Sequence, residues 1–107
     1  PEQLERVMTR TRIGFCPDMA HLAAGGGDPA ELVRRYADRM PYVHLKDYRP
    51  DPFEFLPLGE GQLDLAGIIH AIKEAGYDGW IAVEFDGYTG DPKGGAIRSR
   101  KYLDTYM

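Results

Sequence analysis

A chain of 107 residues, 43% hydrophobic and 28% charged, holds one soluble domain's worth of core or less, and not two domains. Thirteen basic against seventeen acidic side chains give a net charge of −4, which argues against a nucleic-acid backbone as partner. No apolar run approaches the roughly 18 residues of a membrane span, no signal-peptide pattern is visible, and one cysteine excludes an internal disulfide framework and suits a reducing, cytoplasmic setting.

In chain order, Leu4, Val7 and Met8 recur at helical spacing, so residues 1–10 read as the end of a helix. Arg12 to Pro17 is a first short strand. His21 to Gly27, with three glycines in a row, reads as a loop leading to a cap. Asp28-Pro29-Ala30-Glu31 is a strong helix start: Asp28 caps, Pro29 suits the first helical position, and Glu31 completes a capping box. Leu32, Val33, Tyr36, Ala37 and Met40 then line one face, and Pro41 stops the helix.

Tyr42 to Asp47 is the second strand. Tyr48 to Gln62 reads as a long loop with three of the eight prolines, ending in the turn sequence Leu58-Gly59-Glu60-Gly61. Its Phe53, Phe55 and Leu56 suit a lid or an interface. Asp64 caps the next helix, which turns Ile68, Ile69, Ile72 and Ala75 inward and stops at Gly76. Trp80 to Phe85 is the third strand, Gly87 to Gly95 a loop, and Ala96 to Tyr106 a last helix with Ile97, Leu103 and Tyr106 inward. Cys16, Trp80 and Phe85 read as packing residues, and His70 as a partly exposed helix position.

Strands alternating with helices imply right-handed βαβ crossovers and a parallel sheet. The expected fold class is therefore α/β, built of parallel βα units. Three such units fall well short of the ~250 residues of a complete (β/α)₈ barrel, so the chain is either a small open sheet or a partial barrel.

Three strand candidates end in residues that ligate metals: Asp18, with His21 three residues on, then His44, then Glu84. In a parallel barrel these C-terminal strand ends open on one face. Aspartate, histidine and glutamate are donors for Mn²⁺, Mg²⁺, Co²⁺ or Zn²⁺. His44 and Lys46 share one strand face, while Leu45 and Asp47 point to the other. Glu84 follows a run of apolar residues, and an unpaired buried carboxylate is costly, so it needs a metal, a cation or a proton.

The stretches Asp18-x-x-His21-Leu22, Gly25-Gly26-Gly27-Asp28-Pro29, Val43-His44-Leu45-Lys46-Asp47, Leu58-Gly59-Glu60-Gly61, Gly76-Tyr77-Asp78-Gly79-Trp80 and Val83-Glu84-Phe85-Asp86 occur in this order. Together they resemble the xylose-isomerase-like TIM barrels, the sugar (phosphate) isomerases and epimerases with inosose dehydratases and endonuclease IV as relatives. The closing Ser99-Arg100-Lys101-Tyr102-Leu103 is similar to that family's last helix. The resemblance implies the end of helix five, then strands six to eight with their helices, in one partial-barrel domain over residues 1–107.

It also implies a divalent metal held by Asp18, His44 and Glu84, with a first glutamate one strand earlier, before Pro1. Glu84 would double as acid/base. His21 would be a catalytic or substrate-side group, and Lys46 and Arg49 would bind substrate. The implied reaction is proton transfer beside a carbonyl through an enediolate. The alternatives are a dehydratase acting on a keto-inositol or a lyase acting on 3-oxo-glycosides, which share the first step. The implied partner is a small sugar or keto-polyol, with neither nucleic acid nor membrane. A reading of another class is a catalytically silent piece that folds as an oligomer or against the N-terminal barrel portion. Endonuclease activity fits worst, because the chain is acidic.

Overall fold

Four aspartates start four of the five helices. The computed structural model describes residues 1–107. In it Asp18, Asp28, Asp64 and Asp91 each accept a hydrogen bond from the backbone N–H three residues on. Each satisfies a donor that a helix start otherwise leaves unpaired. The elements are α1 (Glu2–Arg10), α2 (Met19–Ala24), α3 (Pro29–Arg35), β1 (Val43–Leu45), β2 (Asp47–Pro50), β3 (Phe53–Leu56), α4 (Leu65–Glu74), β4 (Ile81–Val83) and α5 (Pro92–Asp104). A single 3₁₀ turn, Ala37–Arg39, follows α3. No helix is long and apolar enough to cross a membrane.

β1 and β4 pair in parallel, with Val43 opposite Ile81, His44 opposite Ala82 and Leu45 opposite Val83. A parallel bridge between Asp18 and His44 adds the segment before α2 as a third strand position. The pairing is parallel throughout this sheet, as the alternation of helices and strands implies. Side chains alternate across it. Val43 and Leu45 point to the helical layer and are fully buried, joined by Ile68, Ile69 and Ile72 of α4 and Leu32 and Val33 of α3. Burying each such aliphatic side chain stabilises the fold by roughly 2 kcal/mol. His44, Ala82 and Asp18 point to the opposite face, which no second layer covers.

Arg39 fastens the front of this sheet. Its guanidinium donates to the carbonyls of Met8 (2.6 Å), Thr11 (3.0 Å) and Ile13 (2.6 Å), tying the end of α1 to the extended residues that lead to Asp18.

Several expectations need correction. Residues 12–17 are extended but form no ladder of their own beyond the Asp18 bridge. The loop expected over 21–27 is mostly helix α2: Asp18 caps it, and Met-Ala-His-Leu-Ala-Ala favours helix until the glycines begin. The loop expected over 48–62 contains an antiparallel hairpin, β2 with β3, pairing Tyr48 with Phe55 and Arg49 with Glu54. Aromatic and opposite-charge cross-strand pairs stabilise such ribbons. α5 begins at Pro92, capped by Asp91, which is the Asp-Pro start already seen at Asp28-Pro29.

Cys16 is exposed and Trp80 is 80% exposed. Trp80 shares the parity of Ala82, and Cys16 that of Asp18, so both belong to the uncovered face. Ile97 and Tyr106 are also exposed, on the outer side of α5 and beyond its end.

Candidate metal centre

The strand register brings the chemistry together. Asp18, His44 and Ala82 lie at one level of the sheet. One step further along, Lys46 and Glu84 stand side by side, and the Glu84 N–H donates to the Leu45 carbonyl to continue the ladder. All the polar members have the same parity, so they share the open face at the C-terminal ends of the strands.

Asp18, His44 and Glu84 each offer one ligand atom, and these atoms lie within 4.8 Å of one another. Opposite ligands about 2.1 Å from one ion are ~4.2 Å apart, so small rotamer changes bring all three onto a common centre. An imidazole nitrogen with two carboxylates is a donor set that divalent first-row metals accept. The residues therefore fit a divalent ion. His44 Nδ1 stands 3.1 Å from Glu84 Oε2, and the Tyr42 ring meets the imidazole edge-on.

Lys46 is the hub of the cluster. Its side chain is 1% exposed, and its Nζ lies 3.0 Å from Asp18 Oδ2, 3.2 Å from Glu84 Oε2 and 2.8 Å from Asp86 Oδ2. The Phe55 ring closes the remaining side, its centroid 4.5 Å from Nζ. Burial alone lowers a lysine's proton affinity, but here the hydrogen bonds to Asp86, Asp18 and Glu84 outweigh it and hold the ammonium charged. The same ammonium lowers the Asp86 pKa below the usual carboxylate value. Partial desolvation against the sheet face, with Asp18 and Glu84 nearby, pushes the thiol of the exposed Cys16 up, away from nucleophile chemistry.

His21 lies at the rim. Its side chain is 60% exposed, its Nε2 is 3.9 Å from Asp18 Oδ2, and its ring packs against Phe55. Arg49 stays out of the cluster. It pairs with Glu54 at 2.5 Å across the hairpin. Glu54 also accepts from the backbone N–H and hydroxyl of Thr89, which lowers its pKa. Arg49, Phe53, Phe55, Asp86 and Thr89 line a cleft of about 470 Å³ between hairpin and loop, adjoining the cluster through Asp86 and Phe55.

Two roles were not foreseen from the sequence. Asp86 joins the cluster because it lies two residues beyond Glu84, a parity signal legible in Glu84-Phe85-Asp86. Asp47 points away from the cluster, as its parity requires, and is fully committed elsewhere. Its carboxylate accepts from the N–H groups of Tyr48, Gly59, Gly61 and Leu63, holding the Leu58–Leu63 turn in place.

The family model described as xylose isomerase-like TIM barrel matches residues 1–106. The chain is similar to an inosose dehydratase of Lacticaseibacillus casei, at 35% identity over 98% of this chain and 43% of that protein. The chain thus spans less than half the length of this curated relative. Among solved structures it is similar to a xylose isomerase domain protein from Alicyclobacillus acidocaldarius, at 25% identity and a TM-score of 0.69, over 86% of this chain and 36% of that one. It is also similar to a D-allulose 3-epimerase from Methylomonas sp. in complex with D-allulose, at 29% identity and a TM-score of 0.57, over 75% and 26%.

Proposed function

This chain belongs to the xylose isomerase-like TIM barrel family, and from that premise we propose that it carries the metal-holding strands of a lyase that removes water from a keto-inositol. The observation behind this reading is the convergence of Asp18, His44 and Glu84 within 4.8 Å at the C-terminal strand ends. The identity to an inosose dehydratase favours dehydration over epimerisation.

A divalent ion on Asp18, His44 and Glu84 would supply a Lewis acid for the substrate carbonyl. The chain's own groups divide the proton work. Glu84 Oε2 is occupied by His44 and Lys46, and Oε1 is left to take the proton from the carbon beside the carbonyl. Breaking that C–H bond and the neighbouring C–O bond forms the carbon–carbon double bond. His21, exposed at the rim beside Asp18, gives its proton to the departing hydroxyl, so that water leaves. The Lys46 ammonium is buried beside the base, 3.2 Å from Glu84 Oε2. Phe55 screens this side of the cluster from water.

A second reading, epimerisation of a keto-sugar, is favoured by the likeness to the D-allulose 3-epimerase. It uses the same first proton transfer and returns the proton to the opposite face. Incubating the Mn²⁺-supplemented protein with an inosose and, separately, with D-allulose distinguishes the two. The expected result is loss of water from the inosose by mass spectrometry, with D-allulose unchanged. Epimerised D-allulose with intact inosose would establish the second reading instead.

A further inference from the structure

Two cations have a claim on the same oxygens. Asp18 and Glu84 are the carboxylates of the candidate ligand set, and the Lys46 ammonium is in ion-pair contact with both, 3.0 Å from Asp18 Oδ2 and 3.2 Å from Glu84 Oε2. The ammonium has no exit: its side chain is 1% exposed, and the strand register fixes its backbone beside Glu84. Three carboxylates surround the ammonium, and the one that accepts a well-directed hydrogen bond from it is Asp86, at 2.8 Å. Asp86 differs from the other two. It is 69% exposed on its side chain and lies outside the ligand set.

We propose that Lys46 is a tethered counter-cation that competes with the divalent ion for Asp18 and Glu84, and that Asp86 is the acceptor that retains it when they turn to the ion. The Lys46–Asp86 pair then sets the metal affinity of the site. This rests on the reading of Asp18, His44 and Glu84 as metal ligands. Three carboxylates against one ammonium leave two negative charges, which one dication neutralises. Without Asp86 the ammonium has only the two ligand carboxylates to bond and holds them more firmly. Without Lys46 they have no internal rival for the ion. In the loaded site, Lys46 keeps its hydrogen bond to Asp86.

The test is Mn²⁺ binding to the 107-residue protein, measured by calorimetry and by the electron paramagnetic resonance of free Mn²⁺, with no substrate present. Lys46→Met is expected to bind Mn²⁺ about tenfold more tightly than the unsubstituted chain, and Asp86→Asn about tenfold more weakly, the scale on which groups behind metal ligands act. The double variant is expected to match Lys46→Met within about twofold, because Asp86 acts through Lys46. Equal or weaker binding by Lys46→Met overturns the proposal, since Lys46 would then only support the carboxylates. So does an Asp86→Asn loss as large in the Lys46→Met background as alone, since Asp86 would then act on the ion directly. Asp86→Asn alters an exposed side chain and keeps the proposal testable should Lys46→Met fail to fold by circular dichroism. Absence of Mn²⁺ binding in every variant, the unsubstituted chain included, removes the metal reading itself and the proposal with it.

Discussion

The Gly61 N–H donates to Asp47 Oδ2 at 3.0 Å, and a Cβ on residue 61 would fall 2.2 Å from Oδ1 of the same carboxylate. Glycine is required here by close approach. The carboxylate needs the backbone of the Leu58–Leu63 turn against it, and a side chain at residue 61 would occupy the same space. This contact joins the start of β2, directly after His44 and Lys46, to the turn that precedes α4.

Gly61→Ala and Asp47→Ala should both destabilise the fold, and by related amounts. Asp47→Ala leaves four backbone donors to find other partners, and a loss of about 3 kcal/mol is expected from buried donors deprived of a charged acceptor. Gly61→Ala should cost about 2 kcal/mol through displaced packing. Urea unfolding measures both. If the turn is held by other contacts, the midpoints of the two variants will coincide with that of the unsubstituted chain.

The three candidate ligands make a separate prediction. Asp18→Asn, His44→Ala and Glu84→Gln should each weaken Mn²⁺ binding by at least about tenfold, while Arg49→Ala, whose guanidinium is paired with Glu54 across the hairpin, should leave it unchanged. Calorimetric titration is the measurement. Unaltered affinity in all three ligand variants would mean that these side chains do not share an ion.

Glu54 predicts a pH dependence. Hydrogen bonds from Thr89, with Arg49 alongside, lower its pKa below the ordinary 4.5. A folded-state pKa below the unfolded one contributes stability that is present above the unfolded value and is lost as pH falls through the folded value. The link between the hairpin and residue 89 should therefore loosen only below pH 4.5. The Thr89 amide resonance should titrate in that acid range, and in Glu54→Gln it should show no such step.

Trp80, the chain's one tryptophan, is 80% exposed. Its fluorescence should peak close to that of free tryptophan, and Trp80→Ser should change stability by less than about 0.5 kcal/mol, as for a surface position away from special features. A blue-shifted emission, or a large stability loss, would show that the open sheet face is covered in solution.

The sequence by itself determined the alternation of α3, β1, α4, β4 and α5, the caps at Asp28 and Asp64, and the candidate ligands Asp18, His44 and Glu84. These follow from local rules: apolar periodicity, capping chemistry, and the cost of an unpaired carboxylate after an apolar run. The alternation of side chains along a strand also put Lys46 with His44 and Asp47 on the opposite face. Other features were decided only by the tertiary structure. The hairpin over 47–56 depends on cross-strand pairs that no local pattern announces. Trp80 and Cys16 read as core because they are apolar and lie in strands, but their parity places them on the one sheet face without a covering layer. Asp86 enters the cluster, and Lys46 becomes its centre, only once β1 and β4 lie in register, because the fate of a charged side chain is set by the charges that distant segments bring beside it.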